Sequence, residues 1–206
     1  MNITPVVKQL LIINVIFFIG TVLNQNFAIN TFALFPLDSP NFHWYQLITH
    51  MFMHGGIAHL AFNMFALYSF GSNLEYFWGG IKFVFFYISC GLGAAITYSL
   101  VNQYLTNDVA SYAVGASGAI YGLLVAFGYM FPNAELGIMF IPIPIKAKYF
   151  IPGILAIDLF LGLRGQSIFG FGSTGVAHFA HIGGAITGFI MMWSWRNNKF
   201  NHNRWN

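Results

Sequence analysis

Charge is what this chain has least of. Asp, Glu, Lys and Arg make up 6% of its 206 residues, where a soluble domain carries about a quarter. A surface so poor in charge cannot stay dissolved, so the natural solvent of the chain is lipid. Eight Lys and Arg against five Asp and Glu leave a net charge of +3, too thinly spread for a nucleic-acid-binding patch. The one cysteine, Cys90, excludes an internal disulfide and reads as a small core residue in an apolar run. No cleavable signal peptide with a small-residue cleavage site stands out, so the first apolar run reads as a span. No internal repeat, low-complexity tract or soluble domain is visible.

What is present is apolar. Hydrophobic residues reach 57% and aromatics 19%, with 24 Phe and a mean hydropathy of +0.67. A membrane-crossing helix needs about 20 apolar residues. Six segments qualify, some of them short: 7–23, 57–77, 81–101, 116–130, 149–163 and 176–195. The expected fold is all-α, a polytopic membrane bundle of six transmembrane helices forming one domain over 1–206. A long outer loop, 24–56, joins the first two spans. Its "HWYQL" and "MFMHGG" pieces are amphipathic and aromatic, as befits a structure lying in the membrane interface.

The basic residues give an orientation. With six spans, Lys8, Lys82, Lys146, Lys148, Arg196, Lys199 and Arg204 fall on one side, and only Arg164 on the other. The positive-inside rule then puts both termini in the cytoplasm. Spans two, four and six start together in the outer leaflet. The expected location is a multi-pass protein of a bacterial inner membrane.

Polar side chains at membrane depth are costly and mark interiors or cavities. Here they cluster in one outer-leaflet layer. Span two opens with His59 and Asn63, four residues apart and so on one helix face. His50 and His54 precede it. Span four opens with Ser117, and span six with His178 and His181. Gly118 and Gly122 on span four, and Gly184 and Gly188 on span six, have the spacing that lets helix backbones approach closely. If these faces meet, Ser117 and His181 come within hydrogen-bond reach. An imidazole can then take the serine proton and make it a nucleophile. Tyr121, one turn below Ser117, can pack on that imidazole. The Ser117 N–H near a helix N-terminus, with His59 and Asn63, can supply oxyanion donors. No carboxylate is expected as a third member, with Asp158 in span five, Asp108 in a loop and Glu75 at the inner end of span two. The expectation is a dyad.

The set "HGGIAHLAFN", "GASGAIYG" and "AHFAHIGG" resembles the rhomboid intramembrane serine proteases. His54, His59 and Asn63 meet the family's first pattern. Gly115-Ala116-Ser117-Gly118 meets its GxSG motif with Tyr121 four after the serine, and His181 with Gly184 meets its histidine motif. The resemblance runs over roughly residues 42 to 190. It implies catalytic Ser117 and His181 and an oxyanion hole from the Ser117 N–H, His59 and Asn63. His54, Tyr121, Gly115, Gly118 and Gly184 would be supporting residues. It implies cleavage of transmembrane protein substrates near their outer ends, without metal, nucleotide or other cofactor. It also implies a partly submerged loop after span one and a lateral gate at span five and the loop after it. Many relatives carry Trp-Arg where this chain has Tyr45-Gln46, so the loop's anchoring is expected to differ. With no extra soluble domain or seventh span, the chain looks like a minimal core.

Other readings stand beside this one. His50 and His178 read as structural, and His43 and His202 carry no signal. Glu75 reads as an inner-side capping or ion-pair residue. His50, His54, His59, His178 and His181 would also suit a histidine-rich metal-binding or transport protein. Against that stands the expected lack of carboxylates in the same layer. A third reading is an inactive rhomboid-like escort protein.

Overall fold

The computed structural model describes residues 2–106, 108–138, 141–164 and 175–197. Lys199, His202, Arg204 and the loop 165–174 after span five lie outside the described residues. The chain is mostly helical. Helix α1 (Pro5–Leu23) starts with a proline in its first turn, where the fixed φ suits a helix and no N–H is missed. Three donors there are taken by one distant carboxylate. Glu75 accepts from the Val6 and Val7 N–H groups at 2.9 and 2.8 Å and from the Thr4 hydroxyl at 2.5 Å. Glu75 thus has the expected capping role, at the start of the first helix.

The segment expected as the second span forms as α4 (Ile57–Ala66), a π-turn (Leu67–Gly71) and α5 (Ser72–Trp78) in direct succession. Helices α6 (Gly80–Val101), α7 (Ser117–Met130), α8 (Ala147–Leu163) and α9 (Gly175–Asn197) follow. Each lies within about two residues of its expected segment. Among the described residues, two helices are long and apolar enough to cross a membrane by length and composition, Pro5–Leu23 and the stretch Gly80–Leu105, and Ser117–Met130 is a shorter apolar helix. The all-α expectation needs one correction. Between α7 and α8 lies an antiparallel hairpin, β1 (Glu135–Ile138) with β2 (Ile141–Lys146), Glu135 opposite Lys146. Its prolines leave too few N–H groups for a helix, and the short strands pair instead.

The centre of the bundle is α6, α7 and α9. Phe83, Phe86, Tyr87 and Cys90 of α6 pack with Ala119, Ile120 and Leu123 of α7 and with Met192 of α9. The glycine faces of α7 and α9 do meet. A Cβ on Gly184 would overlap the Gly118 carbonyl, and one on Gly188 would lie 2.8 Å from the Gly122 Cα. That crossing sets how near the start of α7 lies to α9.

The long segment between α1 and α4 is stitched to the chain that leads into α7. It contains α2 (Gln25–Phe32), α3 (Gln46–Thr49) and a 3-10 turn at His50–Phe52. Leu34 and Ala113 exchange two backbone bonds, Leu34 N–H to Ala113 O at 3.0 Å and the reverse at 2.8 Å, and Gly115 donates to the His50 carbonyl at 2.9 Å. Gln46 anchors the loop from within. Its amide oxygen accepts from His43 N–H at 3.1 Å, and its NH2 donates to the Asn41 carbonyl at 3.0 Å. Tyr45 stacks flat on His43 at 5.3 Å. Tyr45-Gln46 is therefore a working anchor made of a neutral amide and a ring stack.

Candidate active site

Ser117 is the first residue of α7, where backbone N–H groups have no partner inside the helix. Three features hold it there. The Gly115 N–H is tied to His50, as above. Gly115 itself has φ +130°, a conformation that side chains rarely adopt, and a Cβ on it would lie 2.9 Å from His59 Nε2. Gly118 then lets α9 approach.

The approach delivers His181. Its Nε2 lies 2.8 Å from Ser117 Oγ. Tyr121 stacks on the imidazole with ring centroids 4.4 Å apart and planes at 14°, fixing its tilt. Both arrangements match the sequence expectation.

The expectation of a bare dyad is not met. Asp158 of α8 reaches into the layer, where its Oδ2 lies 2.9 Å from His181 Nδ1 and its Oδ1 lies 2.8 Å from His178 Nδ1. A carboxylate only accepts, so both imidazoles present an Nδ1–H to it. His181 Nε2 is then the acceptor that faces the serine hydroxyl. The signal was present in the sequence. An acid in an apolar helix needs a partner, and Asp158 lies as near the end of α8 as the two histidines lie to the start of α9. The histidine layer therefore does hold a carboxylate. Among the described residues Asp158, His178 and His181 also form a group whose ligand atoms lie within 4.8 Å of one another, close enough for a metal ion.

The oxyanion candidates are placed unequally. His59 Nδ1 accepts from the Gly55 N–H at 3.4 Å, which leaves its Nε2 as the N–H beside Gly115. A cavity of about 70 Å³ lies here, lined by His50, His59, Gly115, Ser117, Gly118 and His181 among others. Asn63 is buried and donates one amide N–H to the His59 carbonyl at 3.1 Å. It braces His59's helix turn and keeps a second N–H. His54 lies edge-on to the His59 ring at 5.0 Å. Burial and the neighbouring His59 push the His54 imidazole down to about 3. His50 is buried with its Nδ1 on the Gln46 carbonyl at 2.8 Å, and burial pushes it down to about 4. Both rings are therefore neutral at ordinary pH.

The structure is thus a helical bundle in which a serine at the start of one helix meets a histidine on a facing helix. The chain belongs to the rhomboid family: the Rhomboid domain model matches residues 41–198. It is 34% identical to Rhomboid protease GluP of Bacillus subtilis over 71% of this chain and 25% of that protein. It is 35% identical to RHOMBOID-like protein 6, mitochondrial, of Arabidopsis thaliana over 71% of this chain and 42% of the relative. Rhomboid protein 1, mitochondrial, of Saccharomyces cerevisiae matches at 29% over 72% of this chain and 41% of its own length. The matched region is thus a quarter to under half of these relatives. The family is one of integral membrane proteins and includes serine intramembrane proteases. Its relatives include mitochondrial and chloroplastic forms.

Proposed function

We propose that this chain is an intramembrane serine endopeptidase that hydrolyses peptide bonds in or near transmembrane segments of membrane-protein substrates. The 2.8 Å approach of Ser117 Oγ to His181 Nε2 carries the reading. In the acylation step Oγ attacks the scissile carbonyl and its proton passes to Nε2. The oxyanion forms beside the Ser117 N–H and the His59 Nε2–H, in the small cavity they share. Collapse breaks the C–N bond, and Nε2 returns the proton to the leaving amine. Water then repeats the cycle on the acyl-serine, with the same imidazole as base.

The same proposal includes a six-span protein of a bacterial inner membrane, with both termini cytoplasmic and the site opening outward. The bias of Lys and Arg to one side supports the orientation. Exposed apolar residues support the lipid contact: Ile12, Ile16 and Ile19 on α1, Ile81 and Phe85 on α6, Phe160 on α8, Phe189 and Ile190 on α9. The Asp158, His178 and His181 group favours a second reading, a metal-binding membrane protein. That reading leaves the Ser117–His181 contact and the Tyr121 stack without a purpose. The test is cleavage of a single-span fluorescent substrate by the protein in proteoliposomes. Product formation that is lost in Ser117→Ala and His181→Ala is expected. Product formation that persists in Ser117→Ala would overturn the proposal.

A further inference from the structure

Resting on the protease reading, we infer that Asp158, held by His178, is a positioning residue for His181 and ties the readiness of the site to the seating of α8. The chemistry begins with tautomers. A neutral imidazole has one N–H, and His181 serves as a base only if that N–H is on Nδ1. Nothing in the Ser117 contact enforces this, because a hydroxyl can donate or accept. The Asp158 carboxylate does enforce it, since Oδ2 at 2.9 Å can only accept from Nδ1–H. It also stabilises the imidazolium that forms during attack.

His178 makes the carboxylate stay in place. Asp158 is buried, and its side chain is 3% exposed. A lone buried carboxylate would rotate toward solvent or take up a proton. With Oδ1 fixed by His178 at 2.8 Å, Oδ2 has one orientation left, the one that meets His181. Tyr121, stacked on the same imidazole, lies against Asp158 as well. Three side chains, Asp158, His178 and Tyr121, from three helices thus define one ring position.

The acid is not on α7 or α9 but on α8, which meets α9 closely at its outer end and parts from it below. At the outer end a Cβ on Gly162 would lie 2.5 Å from the His178 Cβ. Toward the inner end an apolar cleft of about 500 Å³ opens, lined by Val125, Tyr129, Ile151, Leu155, Ile186 and Phe189. Pro152 lies within α8 along this cleft and removes one helical hydrogen bond there. The outer end of α8 is therefore clasped to α9 through Asp158 and Gly162. Lifting it withdraws the Nδ1 partner of His181 while Ser117 and His181 keep their own contact across α7 and α9.

The experiment compares Asp158→Asn, His178→Phe, Gly162→Leu and Ser117→Ala in nanodiscs, each checked for an unchanged thermal transition. Steady-state cleavage is read together with 15N spectra of histidine-labelled protein, His181 being assigned by its loss in His181→Asn. Asp158→Asn is expected to lower kcat by about a hundred- to ten-thousandfold with KM within a few-fold. It should also move the His181 N–H from Nδ1 to Nε2. His178→Phe is expected to lower kcat by about ten- to a hundredfold. Gly162→Leu is expected to lower kcat in the wild-type background and to add little in Asp158→Asn. An Asp158→Asn protein with kcat within threefold of wild type and an unchanged tautomer overturns the inference. So does a Gly162→Leu loss that adds in full to Asp158→Asn. If Asp158→Asn does not fold, unchanged kcat in both His178→Phe and Gly162→Leu overturns it. Activity surviving in Ser117→Ala would instead sink the protease reading itself, so the two failures are separate.

Discussion

Gly184 and Gly118 meet backbone to backbone where α9 crosses α7, and His181 lies one helical turn before that contact. A Cβ on Gly184 would overlap the Gly118 carbonyl oxygen, which belongs to a helix and cannot move aside. Gly184→Val should therefore push the helices apart at the level of the site. Cleavage is expected to fall at least about a hundredfold, because reacting groups displaced by about 1 Å lose that much. The thermal transition should also drop. Gly188→Ala, one turn deeper, should lower the transition while retaining more activity. Equal activity losses at the two positions would contradict this.

The oxyanion donors can be ranked. His59 presents its Nε2–H beside Gly115 and lines the cavity at Ser117. Asn63 spends one amide hydrogen on the His59 carbonyl. Removing a donor from such a hole costs about 100- to 1,000-fold in kcat. His59→Ala is expected in that range, and Asn63→Ala at or below its lower end, up to about a hundredfold. Single-turnover rates for the two variants check the order. An unchanged rate in Asn63→Ala would remove Asn63 from the hole.

Much of this arrangement is legible in the sequence, and the reason is scarcity. In so apolar a chain, Ser117, His181, His59 and Asn63 stand out because lipid leaves few other places for them. Helix starts fall where apolar runs begin, so in a six-span reading they share one depth. The glycine spacing predicts which faces of α7 and α9 touch. What is not legible is rotation about a helix axis. The depth of Asp158 can be counted from the end of span five, but whether it faces lipid or α9 depends on the packing of Gly162 against His178. The hairpin at Glu135–Lys146 is hidden because "IPIPIK" alternates proline with apolar residues and reads as a connection. The Gln46 anchor is hidden for a related reason. Its partners, the Asn41 carbonyl and the His43 N–H, are backbone groups that any sequence would offer.

Glu75 gives a stability prediction free of catalysis. Its carboxylate serves two backbone N–H groups and a hydroxyl at the start of α1, far from Ser117 in the sequence. Hydrogen bonds to a charged group contribute about 1.5–3 kcal/mol each, not additively. Glu75→Ala is expected to destabilise the fold by about 2–4 kcal/mol, with Glu75→Gln in between. Both should keep wild-type turnover well below their transitions. Thermal unfolding alongside cleavage at low temperature checks the separation. A turnover loss without destabilisation would refute it.

Acid should loosen the outer loop. Folding lowers the His50 imidazole from 6.5 to about 4 and the His54 imidazole from 6.5 to about 3, chiefly by burial. An unfolded chain takes up both protons near pH 6.5, while the folded chain stays neutral until much lower pH. The stabilisation is thus complete above pH 6.5. It declines as the pH falls from there toward about 4 for His50 and about 3 for His54. The thermal transition should fall steadily below pH 6.5, and less steeply in His54→Phe. A flat profile in wild type would contradict the neutral, buried state of these rings.

The most direct test of Ser117 as a nucleophile held by His181 is labelling of the purified protein with a fluorescent fluorophosphonate. The account predicts that wild type is labelled, that Ser117→Ala is not, and that His181→Ala is labelled far more slowly. Wild-type protein that stays unlabelled, cleaves no membrane substrate and binds stoichiometric zinc would contradict it.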